Sequence, residues 1–261
     1  MIFDYHLHTK ASPDATGTME EYVSEAKKKG IGEIGFSDHI ILRRLIGRSD
    51  ALARQMPSYI RDFVRAKEKS KIPIKLGVKM DFFPDNAERI RRFIQKHPFD
   101  YVMGSVHMIG GWIIDDPSEK DEYSRRNVSQ ICEEYFDLVK KLCASRLFDV
   151  LAHPDLIKIF GARPEGDFSP VLEEVARTMA KSNICAEINT KGLRGPCKEI
   201  YPGKQFLKIL YDHGVPVTFG SDAHEPGDVG RDMKKARNLV REIGYFEACM
   251  FDQRQKMPVK I

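Results

Sequence analysis

The chain alternates short apolar runs with longer amphipathic stretches from one end to the other. The apolar runs predict strands near residues 2–5, 33–36, 74–81, 101–106, 148–152, 184–188 and 215–219. Apolar residues at helical spacing predict a helix between Thr18 and Gly30, and further helices over residues 51–68, 86–96, 119–144, 169–181, 204–213 and 233–243. The pattern is therefore that of seven β/α units.

Two of the helix starts carry capping signals. Thr18 and Glu21 have the spacing of a capping box, and Gly30 is placed to end the helix that they begin. Ser169 followed by Pro170 has the pattern of an N-cap with proline at the first helical position. These signals support the helical boundaries independently of the apolar pattern.

Strands that alternate with helices favour a parallel sheet. Seven units that close on themselves predict an α/β fold, a distorted seven-stranded (β/α)7 barrel of the TIM-like kind. An eight-stranded barrel or an open doubly wound sheet is also compatible with the pattern. We favour the seven-stranded barrel because polar residues end every strand, and active sites of such barrels lie on that rim. No linker or repeat divides the 261 residues, so we expect one domain over residues 1–261.

Charge and cysteine content narrow the class of protein. The net charge is only +4 and the basic residues are dispersed, so nothing points to nucleic-acid binding. No apolar run approaches the ~20 residues that cross a bilayer, and no signal-peptide pattern is visible. The five cysteines form no C-x-x-C pair, which is typical of a reducing compartment. We expect a cytoplasmic protein with neither a membrane nor a nucleic-acid partner, and its oligomeric state is left open.

Histidines follow the predicted strands, whereas His97 and His213 lie outside such positions. An H-x-H at a strand end points both imidazoles to one face, because side chains repeat with period two. Histidine with aspartate and without cysteine suits zinc, manganese or iron. The strand-end histidines, which we expect on one rim, are His6, His8, His39, His107, His153 and His224.

The motifs around these histidines resemble the PHP (polymerase and histidinol phosphatase) metallohydrolases. They are H-x-H-T at the first strand, then S-D-H, G-S-V-H, A-H-P-D and G-S-D-A-H, and the match extends from about residue 2 to residue 230. Residues 104–112 and 187–194 are similar to the histidinol-phosphate phosphatase branch. The resemblance implies a distorted barrel with two or three divalent metal ions.

The resemblance also implies roles for individual residues. His6, His8 and Asp222 would hold one ion and His107 would serve a second, while the remaining positions would be shared by Asp14, His39, His153 and His224. Arg194 would grip the substrate phosphate, since a guanidinium matches phosphate oxygens in a bidentate way. Further substrate-binding candidates are Arg163, Lys191 and Ser105. Asp222, His224 and Arg194 are the catalytic candidates, and Glu187 either orients a ligand or pairs with a neighbour.

One position departs from the family pattern. The third strand of the family normally carries a metal-bridging glutamate two residues after a glycine, and here Lys79 stands there. An ammonium ~4 Å from a divalent ion would be repelled by roughly 8 kcal/mol at an effective dielectric of 20. Lys79 is then a carbamate that binds metal, a neutral amine, a side chain turned away, or the cause of a lost ion. Asp81, on the same face of the strand, can supply a substitute carboxylate.

These features predict a metal-dependent phosphomonoesterase, with L-histidinol phosphate of histidine biosynthesis as the expected substrate. Metal ions would lower the pKa of a bridging water, and Asp222, His224 or a bound water would protonate the leaving group. Two alternatives are open. One is a PHP phosphoesterase with another small phosphorylated substrate, and the other is a metal-binding pseudoenzyme that Lys79 has disabled.

Overall fold

The computed structural model describes residues 2–42 and 51–261. In chain order its strands are β1 (Phe3–Leu7), β2 (Glu33–Phe36), β3 (His39–Ile40), β4 (Ile74–Asp81), β5 (Tyr101–Ser105), β6 (Met108–Ile109), β7 (Trp112–Ile113), β8 (Val150–Leu151), β9 (Cys185–Asn189), β10 (Val217–Gly220), β11 (Glu247–Asp252) and β12 (Gln255–Lys260). Its helices are α1 (Met19–Lys28), α2 (Ala51–Lys69), α3 (Ala87–Gln95), α4 (Glu122–Arg125), α5 (Val128–Ala144), α6 (Ser169–Ser182), α7 (Lys204–Asp212) and α8 (Met233–Ile243).

Seven strands of the described chain form one parallel path in the order β1-β2-β4-β5-β8-β9-β10, and the two-residue β3 pairs beside β4. A parallel bridge between Leu7 and Ala223 joins the two ends of the path. The His8 N–H donates to the Ala223 oxygen at 2.9 Å there. The sheet thus closes, which confirms the distorted (β/α)7 barrel and rules out the open doubly wound sheet and the eight-stranded barrel.

Aromatic side chains fill the barrel interior below the rim. A Cβ atom on Gly77 would lie 2.3 Å from the Tyr101 ring, so only glycine lets this ring cross the interior. The Tyr101 hydroxyl donates to the Tyr5 backbone oxygen at 2.6 Å, and both rings are fully buried. Because this layer occupies the amino-terminal half of the barrel, space for a ligand is left at the carboxyl-terminal end.

The hairpin of β11 and β12 covers the amino-terminal end, and the apolar pattern did not predict it. Phe251 packs against Tyr5 with ring centroids 5.9 Å apart. Asp252 accepts from Lys75 at 2.6 Å, and Arg254 donates to Asp149 at 2.8 and 3.0 Å. These contacts reach the starts of several barrel strands, so the carboxyl-terminal rim is the open one.

The helix predicted over residues 119–144 is in fact two helices, and the longer one begins at Val128. The Asn127 side chain accepts from the Gln130 N–H at 3.0 Å and so starts a new helix inside the predicted one. Asparagine side chains favour this capping position over a helix interior. The prediction from apolar spacing alone therefore made this helix too long, because it did not take account of the cap at Asn127.

The capping box at the start of α1 is present as predicted. The Thr18 hydroxyl accepts from the Glu21 N–H at 3.3 Å, and the Glu21 carboxylate accepts from the Thr18 N–H at 2.6 Å. Among the described residues, no helix combines the length and the apolar character that a membrane span requires.

Candidate metal centre

The strand-end histidines lie together at the carboxyl-terminal rim. Ring centroids of successive imidazoles are 4.9 to 6.3 Å apart around a closed circuit of His6, His8, His39, His107 and His153. His224 lies outside this circuit with its ring 4.4 Å from that of His8. The structure thus brings together side chains that the sequence separates by more than 200 residues.

A first ligand group consists of His6, His8 and Asp222. The Nε2 atoms of the two histidines are 3.0 Å apart, and Asp222 Oδ1 lies 3.4 Å from the first and 3.6 Å from the second. All three residues are buried. Their ligand atoms lie within 4.8 Å of one another, as is required of side chains that share one ion.

Hydrogen bonds around the first ligand group assign its protons. His6 Nδ1 lies 2.5 Å from Glu187 Oε1, and a carboxylate only accepts, so the proton is on Nδ1. Ser12 donates its hydroxyl proton to Asp38 at 2.8 Å, so His8 Nδ1, 3.2 Å from that oxygen, is the donor to Ser12. Both Nε2 atoms are then left to face Asp222 with their lone pairs, as metal-binding imidazoles do.

The electrostatics of the first ligand group fit a bound cation. Burial and the nearby Lys79 hold the pKa of His8 well below its ordinary value. Burial alone would raise the pKa of Asp222, but His6, Lys191 and Lys79 outweigh it and keep that pKa well below the usual range. Asp222 Oδ1 is buried and has no hydrogen-bond partner among the described residues. A buried anionic oxygen that lacks a hydrogen bond and lies beside two lone pairs suits a metal ion.

A second ligand group consists of His39, Asp81 and His107. Asp81 Oδ1 lies 2.9 Å from His39 Nε2 and 2.5 Å from His107 Nδ1. Burial raises the pKa of Asp81, but the two imidazoles more than offset this and hold it well below its ordinary value. The pKa of His39 is lowered to about 4, mainly by burial, against the attraction of Asp81. The aspartate therefore supplies an ionised ligand atom between two imidazoles.

His153 lies between the two ligand groups. Its ring centroid is 5.8 Å from that of His6 and 4.9 Å from that of His107, and its Nδ1 is buried without a described hydrogen-bond partner. Its backbone N–H donates to Glu187 Oε2 at 2.6 Å. The φ angles of His153 and Asp222 are +29° and +54°, in the left-handed region that side chains other than glycine rarely adopt. Strain of this kind is typical of functional positions.

The cavity above the ligand groups has a volume of about 840 Å³. Arg194 lines it and is held in place, because Nη2 donates to the Ser221 oxygen at 2.7 Å and Nη1 to the Thr190 oxygen at 3.3 Å. Lys191 also lines it, with Nζ 3.5 Å from Asp222 Oδ1. Two cations thus face the cavity beside the first ligand group.

Asp14 and His224 form a pair at the edge of this cavity rather than part of either ligand group. Asp14 Oδ2 lies 3.4 Å from His224 Nε2, and this contact holds the pKa of Asp14 well below its usual range. His224 is partly exposed, and its Nδ1 donates to the Asp222 backbone oxygen at 3.0 Å. The pair is open to a molecule that enters the cavity.

Two of the predicted substrate-binding residues lie elsewhere. Ser105 is fully buried and donates to Asp81 Oδ1 at 2.8 Å, so it positions that ligand instead of reaching the cavity. Arg163 lines a separate cavity of about 590 Å³ and pairs with Glu199 at 3.0 Å.

The sequence analysis missed Asp115, which lines the main cavity with Oδ2 3.9 Å from His107 Nε2. Asp115 lies in a loop, so the apolar periodicity of strands and helices did not point to it.

Comparisons with known proteins place the chain among metallohydrolases of this architecture. The model of the PHP domain matches residues 4–191. A protein of Deinococcus radiodurans named probable histidinol-phosphatase is 32% identical over 247 residues, which cover 93% of this chain and 94% of that protein. The histidinol-phosphatase of Lactococcus lactis is 27% identical, with 95% of this chain and 93% of that protein covered.

A solved structure has the same fold over its full length. It is the histidinol phosphate phosphatase of Lactococcus lactis in complex with zinc, L-histidinol and phosphate. It superposes with a TM-score of 0.86 at 26% sequence identity, and 98% of each chain is covered. Together with the domain match over residues 4–191, these relatives show that the chain belongs to the PHP domain family.

Proposed function

We propose that this protein is a metal-dependent phosphatase that hydrolyses L-histidinol phosphate to L-histidinol and phosphate. The observation that carries the proposal is the arrangement of two histidine–carboxylate ligand groups beneath a cavity that also contains Arg194 and Lys191. The names of the Deinococcus radiodurans and Lactococcus lactis relatives support the substrate. A single PHP domain over residues 1–261 and a cytoplasmic location stay predictions.

The two ligand groups would hold divalent ions of zinc, manganese or iron, with one ion in each group. His153, between the groups, is available to either ion. Bound there, the ions supply Lewis-acid activation of water and of the phosphoryl oxygens near neutral pH. Glu187 keeps the His6 proton on Nδ1, and Ser12 accepts the corresponding proton of His8, so both imidazoles present a lone pair to the site.

Arg194 is the residue that anchors the phosphate in this proposal. Its two backbone hydrogen bonds fix the plane of the guanidinium at the cavity wall, and a fixed fork matches two phosphate oxygens. Lys191 is about half exposed. Its ammonium is a point charge on a flexible chain, so it would attract the phosphate without fixing the orientation of the phosphate. Arg163 has no part in this step, because it lies in the separate cavity.

His224 is the residue best placed to protonate the leaving alcohol. The low pKa of Asp222 keeps that carboxylate ionised at neutral pH, so it has no proton to donate. His224 lies at the cavity edge, and its Nε2 is 3.4 Å from Asp14 Oδ2. We therefore assign proton donation to His224 and ligation to Asp222, and Asp14 orients the imidazole.

The test is hydrolysis of a substrate panel by protein reconstituted separately with zinc, manganese and ferrous iron. L-Histidinol phosphate should be preferred over p-nitrophenyl phosphate and a bis-aryl phosphodiester by at least ~10²-fold in kcat/KM, since a polar pocket rejects substrates that leave its groups unpaired. Preference for another ester would refute the substrate. No turnover with any of the metals, while inorganic phosphate still binds, would favour the pseudoenzyme instead.

A further inference from the structure

Lys79 is a buried lysine that lines the same cavity as three of the rim histidines, His39, His107 and His153. It is 4% exposed, and it lines the main cavity. Lys158, also buried, is fully paired, because its Nζ contacts Asp155 at 2.9 Å, Glu199 at 3.0 Å and the Ile200 oxygen at 2.9 Å. By contrast, Lys79 Nζ has no hydrogen bond or ion pair with any residue in the described ranges. An unpaired buried ammonium is costly, so an acceptor is expected to reach it.

Backbone pairing fixes where Lys79 enters the site. It stands opposite His39 in the register of β3 and β4, and its N–H donates to the Asp38 oxygen at 3.1 Å. Asp81, two residues on, shares its face of the strand and carries the second ligand group. The lysine side chain therefore rises from the barrel interior toward the cavity, next to that group.

The main cavity places Lys79 beside members of both ligand groups. Lys79 lines it together with His39 and His107 of the second group and with Asp222 of the first. His153, between the groups, lines the same cavity. A phosphate in this cavity can therefore meet Lys79 and both ligand groups at once.

We propose that Lys79 binds the substrate phosphate directly, as a fixed cation that stands between the two ligand groups and keeps a metal ion out of that position. The inference rests on the proposed phosphatase function. A phosphate dianion over the rim would accept from the ammonium and approach both ligand groups. Arg194 would hold the same dianion from the cavity wall.

The experiment compares Lys79→Met with Lys75→Met, the same substitution at the other end of β4, where the lysine pairs with Asp252. Zinc content is measured by inductively coupled plasma mass spectrometry. Binding of inorganic phosphate to the zinc-loaded protein is measured by isothermal titration calorimetry. Wild type and both variants should hold two ions per chain. Loss of a charged donor should weaken phosphate binding about 10- to 100-fold in Lys79→Met and leave it unchanged in Lys75→Met.

Two further variants keep the proposal testable if Lys79→Met folds poorly. Lys79→Arg keeps the charge and should bind phosphate within a few-fold of wild type, and Lys79→Glu should bind one additional zinc ion. Phosphate affinity that does not depend on the charge at residue 79 would overturn the proposal. Three ions in the wild type, or a carbamate mass on Lys79, would overturn it too. Because these readouts use only zinc and phosphate, they stand even if L-histidinol phosphate proves not to be the substrate.

Discussion

Glu187 offers a direct test of the first ligand group. Three donors converge on its buried carboxylate, namely His6 Nδ1 at 2.5 Å, the His153 backbone N–H at 2.6 Å and Asn189 Nδ2 at 3.0 Å. Substitution by glutamine keeps the shape but leaves one acceptor oxygen and adds a donor. We expect Glu187→Gln to weaken zinc binding by the first group.

The magnitude follows from the protons in this network. The glutamine amide must face at least one of the donors, and a buried donor left without a partner costs about 1–3 kcal/mol. His6 can avoid the clash by moving its proton to Nε2, but that removes the lone pair that faces Asp222. Either route corresponds to a loss of about 10- to 100-fold in metal affinity, as found when carboxylates behind metal-binding histidines are replaced.

The assay is competition for zinc against a chromogenic chelator at pH 7.5, with thermal melting of the metal-free protein measured in parallel. Glu199→Gln is the matched control, because Glu199 pairs with Lys158 and Arg163 in the separate cavity and is half exposed. Its zinc affinity should match that of wild type. If Glu187→Gln also binds zinc as tightly as wild type while its fold is intact, the assignment of the first ligand group is refuted.

Two other predictions concern phosphate binding and pH. Arg194→Ala should lower kcat/KM for a phosphomonoester by ~10²-fold or more, and Arg194→Lys should restore only part of it; an unchanged value in the alanine variant would place the phosphate elsewhere. For the metal-free protein, the pKa of His39 is about 4 in the folded state against 6.5 unfolded, so the unfolded state binds more protons below pH 6.5. Stability should therefore be full above pH 6.5 and fall by about 2 kcal/mol by pH 5 in urea titrations, less so in His39→Gln. Equal stability at pH 5 and 7.5 would contradict this.

The barrel could be predicted from the sequence because its signals are local. Each strand is a short apolar run, so period and order predicted the β/α units, and the polar residues at the strand ends then favoured the closed barrel over the open sheet. The convergence of His6 with His153 also follows from topology alone, since parallel strands of a barrel end on the same side. Neither the barrel nor the meeting of these two histidines required a distance between any two residues.

The carboxyl-terminal hairpin was missed because tertiary contacts stabilise its turn. Gln253 and Arg254 have φ angles of +46° and +66°, where a hairpin normally uses asparagine and glycine. Asp100 accepts from both backbone N–H groups, at 3.2 and 2.8 Å through its side chain and its backbone oxygen, and Asp149 binds the Arg254 side chain. These partners lie about 100 residues or more away, so no local signal marks the turn.

Lys79 shows most clearly what spacing alone determines. Period two places Lys79 and Asp81 on the same inner face, but it does not tell which of the two reaches the imidazoles as a ligand. Asp81 stands at the end of β4 and bonds to His39 and His107, whereas Lys79 starts about 7 Å deeper along the strand. Its side chain lines the cavity, so it is not turned away. We therefore propose that the carboxylate role at this strand belongs to Asp81, which leaves the charge of Lys79 to act on the phosphate.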